Sequence, residues 1–448
     1  MMTEFWACLR LPWKFTKAFW CEKDPSARKF IFDNAGLDVQ NFADVMSLKF
    51  EREAPYCDLL LAGFPCQPFS LMGLGDGLQD PRGIVVLHIL RYVKSRRPQI
   101  VVLENVKGLI SRHRSVLDNV VASLERMHYF VSWRLLDTKT HGAIPQRRPR
   151  VYIVGINRVS GDAPPGGDNV PATGGVPATG GATGGSLRHV TLTWPDPIPC
   201  PGISEILEDT PKVTDYGRYP GFSGMSRTAK RNLRMALTRV NQVARRDPRS
   251  PADIPVVVDL QSGALNIGFD VSPCLTRARG QSRAFFSLQH ARPLSMNELC
   301  RLQGLDIREM RITLTKSQMG SLLGNAFTCT VLARVLASAI QAEERLRAAT
   351  GAPPPEEGPW AVPAASGPQA ATGAPPSEEE PWASTGARPA ASRLPDSLNP
   401  LYAYDTPLHN VSAIGHVRRR PAAAPQKPTL KRTAAAHQEP MLRRRRLS

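Results

Sequence analysis

Cys57-Asp58-Leu59-Leu60-Leu61-Ala62-Gly63-Phe64-Pro65-Cys66-Gln67-Pro68-Phe69-Ser70 is the stretch on which the fold turns. Its first part, Cys57–Ala62, is a nearly continuous apolar run of strand length, the pattern of a strand covered on both faces of a sheet. The run then breaks into Gly and Pro, so a strand ends and a loop begins. In open α/β sheets ligands bind just beyond the carboxyl ends of the strands, which puts Cys66 where reacting groups gather. Two prolines fix the loop around it, and the Gly-rich continuation Leu71–Asp80 can close as a lid. A lone cysteine is as a rule an inert buried hydrophobe, so this window alone leaves its role open.

Working outward, Ile100–Leu103 and Val151–Ile156 repeat the buried-strand pattern, while Ile84–Val93 and Val116–Met127 carry apolar residues at helical spacing. Strands alternating with helices predict βαβ units, an α/β fold and a mostly parallel sheet. The strand at Ile100 runs into Glu104-Asn105-Val106, and the strand at Val151 is preceded by Gln146-Arg147-Arg148-Pro149-Arg150. A thiol, a carboxylic acid and a guanidinium at three strand ends form a coherent set: a nucleophile, a proton donor and a holder for an exocyclic oxygen. Read alone, Glu104 is equally well a capping or solvated acid.

Composition divides the chain further. Residues 1–157 read as an α/β core and 158–187 as a low-complexity linker, in which VPATGG occurs twice, at Val170–Gly175 and Val176–Gly181. Residues 188–290 are irregular, with short strand candidates such as Val256–Leu260. Within them Met225–Ser250 holds eight basic residues against one acid, with Leu233, Leu237 and Val240 at helical spacing, which predicts a basic amphipathic helix. Arg227, Lys230, Arg231 and Arg234 on it are candidate phosphate contacts, the alternative being a merely solvated face. Residues 291–345 return to helical periodicity. From 346 to 448 the chain is Pro-, Ala- and Gly-rich and is expected to be a disordered basic tail.

The 448 residues carry 57 Lys and Arg against 39 Asp and Glu, a net charge of +18, which points to a polyanionic partner. Val411–Ser448 holds ten basic residues against one acid, so it and the basic helix account for nearly all of the excess. Clusters at 418–432 and 443–446 fit nuclear import, given a eukaryotic source. The opening residues lack the basic-then-apolar order of a secretory signal, and no run of about 18 apolar residues predicts a bilayer span. Eight cysteines without a CxxC pair argue against a disulfide framework and a zinc module, and no metal is expected.

Taken in order along the chain, these residues resemble the cytosine-C5 DNA methyltransferases. Pro65-Cys66-Gln67 is similar to the family's nucleophile motif, Glu104-Asn105-Val106 to the motif supplying the acid, and Gln146-x-Arg148-x-Arg150 to its Gln-x-Arg-x-Arg motif. Asp80–Gly83 fits the segment between the first two, Arg292-Pro293-Leu294 with Glu298 and Arg301–Gly304 the motif supporting target recognition, and Gly324-Asn325-Ala326 the last motif. The resemblance covers roughly residues 5–157 and 271–342.

It implies a Rossmann-like S-adenosylmethionine-dependent methyltransferase sheet, with a small irregular target-recognition domain and a disordered C-terminal tail. It implies Cys66, Glu104, Arg148 and Arg150 as catalytic residues acting on a flipped-out cytosine in double-stranded DNA. S-Adenosylmethionine contacts fall to Glu22, Asp44, Pro65 and Asn325, and DNA contacts to Gln67, Ser70, Asn105 and Gln146 beside the four basic helix residues. The chain is expected to be a monomer. In one respect it departs from the family: no strand followed by Phe-x-Gly-x-Gly, the loop that cradles the methionine part of the cofactor, precedes Phe19–Glu22. Gly221-Phe222-Ser223-Gly224-Met225 follows no buried strand and reads as a decoy. The alternative to an enzyme is therefore a truncated, inactive DNA-binding remnant.

Overall fold

The computed structural model describes residues 7–8, 10–35, 39–64, 81–158, 191–213, 224–247, 249–350 and 410–419. Pro65, Cys66, Gln67, Ser70, the expected linker and the basic clusters beyond Arg419 lie outside them.

The first strand, β1 (Trp13–Glu22), leads into α1 (Pro25–Ala35), β2 (Gln40–Phe42) and α2 (Leu48–Glu53), the last capped by the Ser47 side chain. Next come β3 (Leu59–Gly63), α3 (Pro81–Arg96), β4 (Ile100–Val106), the short α4 (Gly108–Ser111) and α5 (Arg114–Arg126). An antiparallel pair, β5 (Tyr129–Asp137) and β6 (Pro149–Asn157), is joined through the single turn of α6 (Thr138–Gly142). After a gap, α7 (Arg227–Ala244) precedes the short strands β7 (Val256–Asp259), β8 (Asn266–Phe269), β9 (Phe285–Ser287) and β10 (Arg292–Pro293), with α8 (Arg277–Ser282) between β8 and β9. Three helices follow, α9 (Met296–Arg301), α10 (Lys316–Asn325) and α11 (Cys329–Thr350), and then one strand, β11 (Asn410–Arg419).

The main sheet has the order β2-β1-β11-β3-β4-β6-β5. It is mixed rather than mostly parallel: β1 pairs parallel with β2 and β3 with β4, while β6 and β11 run against their neighbours. The apolar runs do what their patterning predicts, since Leu59, Leu60, Leu61 and Ala62 are all buried. One face packs against α1, α10 and α11, the other against α3 and α5. On α5 the buried residues Val116, Leu117, Val120 and Leu124 recur at helical spacing.

Three expectations need correction. Residues 188–290 are more regular than their composition suggests, because β10-β9-β7-β8 form a second sheet over which α7 lays Ala229, Leu233, Ala236 and Val240. Strands of two to four residues leave too little periodicity to be read. The tail does not begin at 346, since α11 continues to Thr350, and residues 410–419 within it form the central strand β11. Finally, the stretch Lys316–Thr350 is apolar enough to pass for a membrane span, with a mean hydropathy of 1.5, but 72% of that window is buried inside the fold. It comprises α10 and α11, which pack on one face of the sheet.

Candidate active site

Five strands, β1 to β5, point the same way, so their carboxyl ends line one edge of the sheet. At its middle, Gly63 of β3 stands beside Glu104 of β4, and Val106 stands beside Arg150 of β6. Arg150 Nε lies 3.0 Å from Glu104 Oε1, and the two side chains are only 11% and 9% exposed. A charge pair held this far from water retains most of its attraction, and it fixes the position of the carboxyl oxygen that faces Gly63. That oxygen would lie 3.8 Å from a Cβ built on Gly63, beside the Phe327 ring.

The exit of β3 is tied to the same place. Asn105, fully buried, donates from Nδ2 to the Phe64 carbonyl at 2.9 Å and accepts the Val106 N–H on Oδ1 at 2.8 Å. These two backbone bonds give the amide an anchoring role: it fixes the residue from which the chain leaves toward Cys66.

Gln146 and Arg148 are also held by backbone groups. Gln146 is fully buried, donating to Leu302 O at 2.6 Å and accepting from Leu275 N at 2.7 Å. Arg148 is buried and donates to Leu275 O, to Gly324 O at 3.1 Å and to Ala326 O at 2.7 Å. Carbonyls at a helix end need donors, and this guanidinium supplies them for α10. These bonds tie the segment before α8 and the end of α10 to β6, while Arg150 pairs with Glu104.

Along the same edge, β1 ends in Glu22, which is 1% exposed. Oε1 accepts the Asp24 N–H at 2.9 Å, while Oε2 is buried with no hydrogen-bond partner among the described residues. Burial pushes the Glu22 carboxyl up to about 7. Asp44, just beyond β2, receives Lys23 Nζ at 3.1 Å, so it stands next to the end of β1. Asn325 ends α10, and its Nδ2 is likewise buried without a partner among the described residues. An orphaned acceptor and an orphaned donor on elements facing one sheet edge fit a polar ligand carrying both hydroxyl and acceptor groups.

The glycines of α8 and α10 make this docking possible. A Cβ on Gly280 would fall 1.9 Å from Gly320 O, and one on Gly320 would fall 2.1 Å from Gly280 O, so the two backbones touch directly. Arg277 at the start of α8 then reaches Ser321 Oγ at 3.1 Å and Asp24 at 3.6 Å, linking both helices to the loop after Glu22. Neither Arg277 nor the glycine crossing was signalled by the sequence, although the close spacing of Gly320 and Gly324 is the pattern of a close helix approach.

On the second sheet, Arg227, Arg231 and Arg234 of α7 are exposed and Lys230 is half-buried. Arg231 also donates to the Gly263 carbonyl at 2.5 Å, which orients it. Asn232 behind them is fully buried and donates to Leu260 O at 3.2 Å and Ser262 O at 2.8 Å, pinning α7 to the loop after β7.

Residues 10–169 match the model of the C-5 cytosine-specific DNA methylase family. Among curated proteins, the chain is 37% identical over 154 residues to the type II methyltransferase M.NlaIV of Neisseria lactamica, covering 30% of this chain and 36% of that protein. It is 44% identical over 103 residues to M.BanI of Aneurinibacillus aneurinilyticus, covering 23% and 24%. The chain thus matches between about a quarter and about a third of the length of these relatives. Among solved structures, the Entamoeba histolytica methyltransferase EhMeth is similar at a TM-score of 0.45 and 16% identity, covering 72% of this chain and 89% of that one.

Proposed function

We propose that the chain, a member of the C-5 cytosine-specific DNA methylase family through residues 10–169, is a DNA (cytosine-5-)-methyltransferase acting on a cytosine flipped out of duplex DNA. One observation carries the reading: the buried Glu104–Arg150 pair at 3.0 Å, beside the strand whose end leads directly to Cys66.

In the proposed reaction the Cys66 thiolate adds to C6 of the ring, and the electron pair of the C5–C6 double bond moves to C5. Glu104 contacts N3 and the exocyclic amine and takes up the charge by protonating the ring, while Arg150 holds the O2 side and keeps Glu104 in place. S-Adenosylmethionine, when bound, supplies an electrophilic methyl group for C5. The demethylated cofactor leaves as a neutral thioether, and loss of the C5 proton to water then restores the double bond and expels Cys66 as its thiolate. Glu22 would accept from the ribose hydroxyls through its unpartnered Oε2, Asp44 would face the adenine amine, and Asn325 would close the pocket. Pro65 would line the same pocket, and Gln67 and Ser70 would meet the DNA.

The basic face of α7, with Arg227, Lys230, Arg231 and Arg234, is the proposed duplex contact, and nuclear import through the clusters at 418–432 and 443–446 is the proposed route to the substrate. Transfer of label from S-adenosylmethionine to duplex DNA tests the reading, beside Cys66→Ser and Glu104→Gln. Incorporation by Cys66→Ser at the wild-type rate would remove the nucleophile. Duplex binding with a steep salt dependence, but no saturable cofactor binding, would instead support the inactive remnant.

A further inference from the structure

The centre of the main sheet is filled from the far end of the chain. β11 pairs with β1 from Trp13↔Arg419 to Glu22↔Asn410, and with β3 from Leu59↔Ile414 to Gly63↔Asn410, antiparallel to both. Its neighbours are core strands, with Phe19, Trp20 and Cys21 on one side and Leu59, Leu60 and Leu61 on the other all buried. Without an occupant, both would turn rows of backbone N–H and C=O groups into a gap within the core, where every such group needs a partner. Among the described strands, the pair β1–β2 reaches the rest of the sheet only through β11.

Two features single this strand out from an ordinary element. It is joined to α11 by the 59 residues 351–409, so no short turn dictates where it docks. Its direction also matters. Asn410 enters the slot at the edge that carries Glu22 and Gly63, and the chain leaves past Arg418 and Arg419 at the opposite edge. The ladder to β1 is irregular between Phe15 and Phe19 and regular from Phe19 to Glu22, so the pairing is most continuous on the side of the candidate site.

We propose that the slot between β1 and β3 is an acceptor site for one extended segment, that residues 410–419 of this chain are its occupant, and that occupancy holds Glu22 in register with Gly63 and Glu104. The strand is a positioning element for the two halves of the site. A consequence for the tail is that the backbone of Arg418 and Arg419, at the start of the 418–432 cluster, is committed to the sheet.

The cofactor readout below rests on the function proposed above, whereas the exchange readout does not. Ala413 pairs with Phe19 and Leu60 in the doubly paired block, and Ala413→Pro removes one ladder N–H there. In the full chain carrying this change, amide exchange in β1 and β3 should quicken at least tenfold, while β5, β6 and β7 keep their protection. A synthetic peptide of residues 408–421, added in excess, should restore it, and S-adenosylmethionine affinity should fall and recover in parallel. Unchanged protection of β1 and β3 would overturn the proposal, as would a loss across every strand that the peptide does not reverse. If neither form binds S-adenosylmethionine while the exchange difference and its rescue remain, the strand proposal stands and the methyltransferase reading falls.

Discussion

Arg150 Nε sits 3.0 Å from Glu104 Oε1 across two adjacent strands that run in opposite directions. The pair is largely shielded from water. Arg150→Met therefore strands the Glu104 carboxylate and should lower stability by about 3 kcal/mol, read as a drop in the urea midpoint. Glu104→Gln keeps volume and polarity, so its fold should survive while methyl transfer falls by about 100-fold or more. A Glu104→Gln enzyme with wild-type turnover would exclude the acid role.

Glu22 gives a pH dependence of definite sign. Its carboxyl is raised by burial from 4.5 to about 7, so between those values the folded state holds a proton that the unfolded state has released. Stability due to this group is therefore greatest below the unfolded value and declines as pH rises toward 7, by about 3 kcal/mol in all. Glu22→Gln should flatten that decline in a series of melts from pH 4 to 8. Affinity for S-adenosylmethionine should move the other way, rising with pH as the carboxylate forms, because the ionised group is the better acceptor for a ribose hydroxyl.

Glu298 behaves oppositely. Burial works against its charge, but the Arg292 fork at 2.7 and 2.9 Å, with the N–H groups of Glu208 and Ser295, holds the carboxyl below its ordinary value. Its contribution is present above the unfolded value and is lost as pH falls through the depressed one. Glu298→Gln should thus destabilise at pH 7 and much less at pH 2 to 3. Equal destabilisation at both ends would show that shape, not charge, matters there.

The crossing of α8 and α10 has no room for a methyl group. Gly320→Ala should cost about 3 kcal/mol, since its Cβ would meet backbone rather than a movable side chain. The same shift should displace Asn325 and weaken cofactor binding beyond the loss in thermal stability.

What the sequence made legible was whatever depended on local pattern. The buried strands at Leu59 and Ile100, the acids near the ends of β1 and β4, and the basic helix from Arg227 all follow from runs of fewer than thirty residues. The backbone partners of Gln146 and Arg148 are not legible in the sequence, because a polar side chain at a strand end looks the same whether it faces a ligand or a carbonyl. The carbonyls that claim them, Leu275, Leu302, Gly324 and Ala326, arrive from more than a hundred residues away. β11 was hidden for the complementary reason: ten residues with a modest apolar content lie in a tail whose composition argues for disorder, and only the open slot between β1 and β3 gives them a structure.

The DNA-facing reading of α7 separates cleanly from its packing. Arg227 and Arg234 are exposed, so alanine at either should leave the melting temperature within a degree or two. Each should reduce the slope of log affinity against log salt by about 1, uniformly across duplex sequences. Asn232 lies between them on the buried face of the same helix, where it serves the carbonyls of Leu260 and Ser262. Asn232→Ala should instead destabilise the small domain by about 2 kcal/mol and leave the salt slope of the folded fraction unchanged. Titration of a labelled duplex at a series of salt concentrations, with a melt of each variant, distinguishes the two faces. A salt slope unaltered in the Arg227→Ala, Arg234→Ala double variant would move the phosphate contacts off this helix.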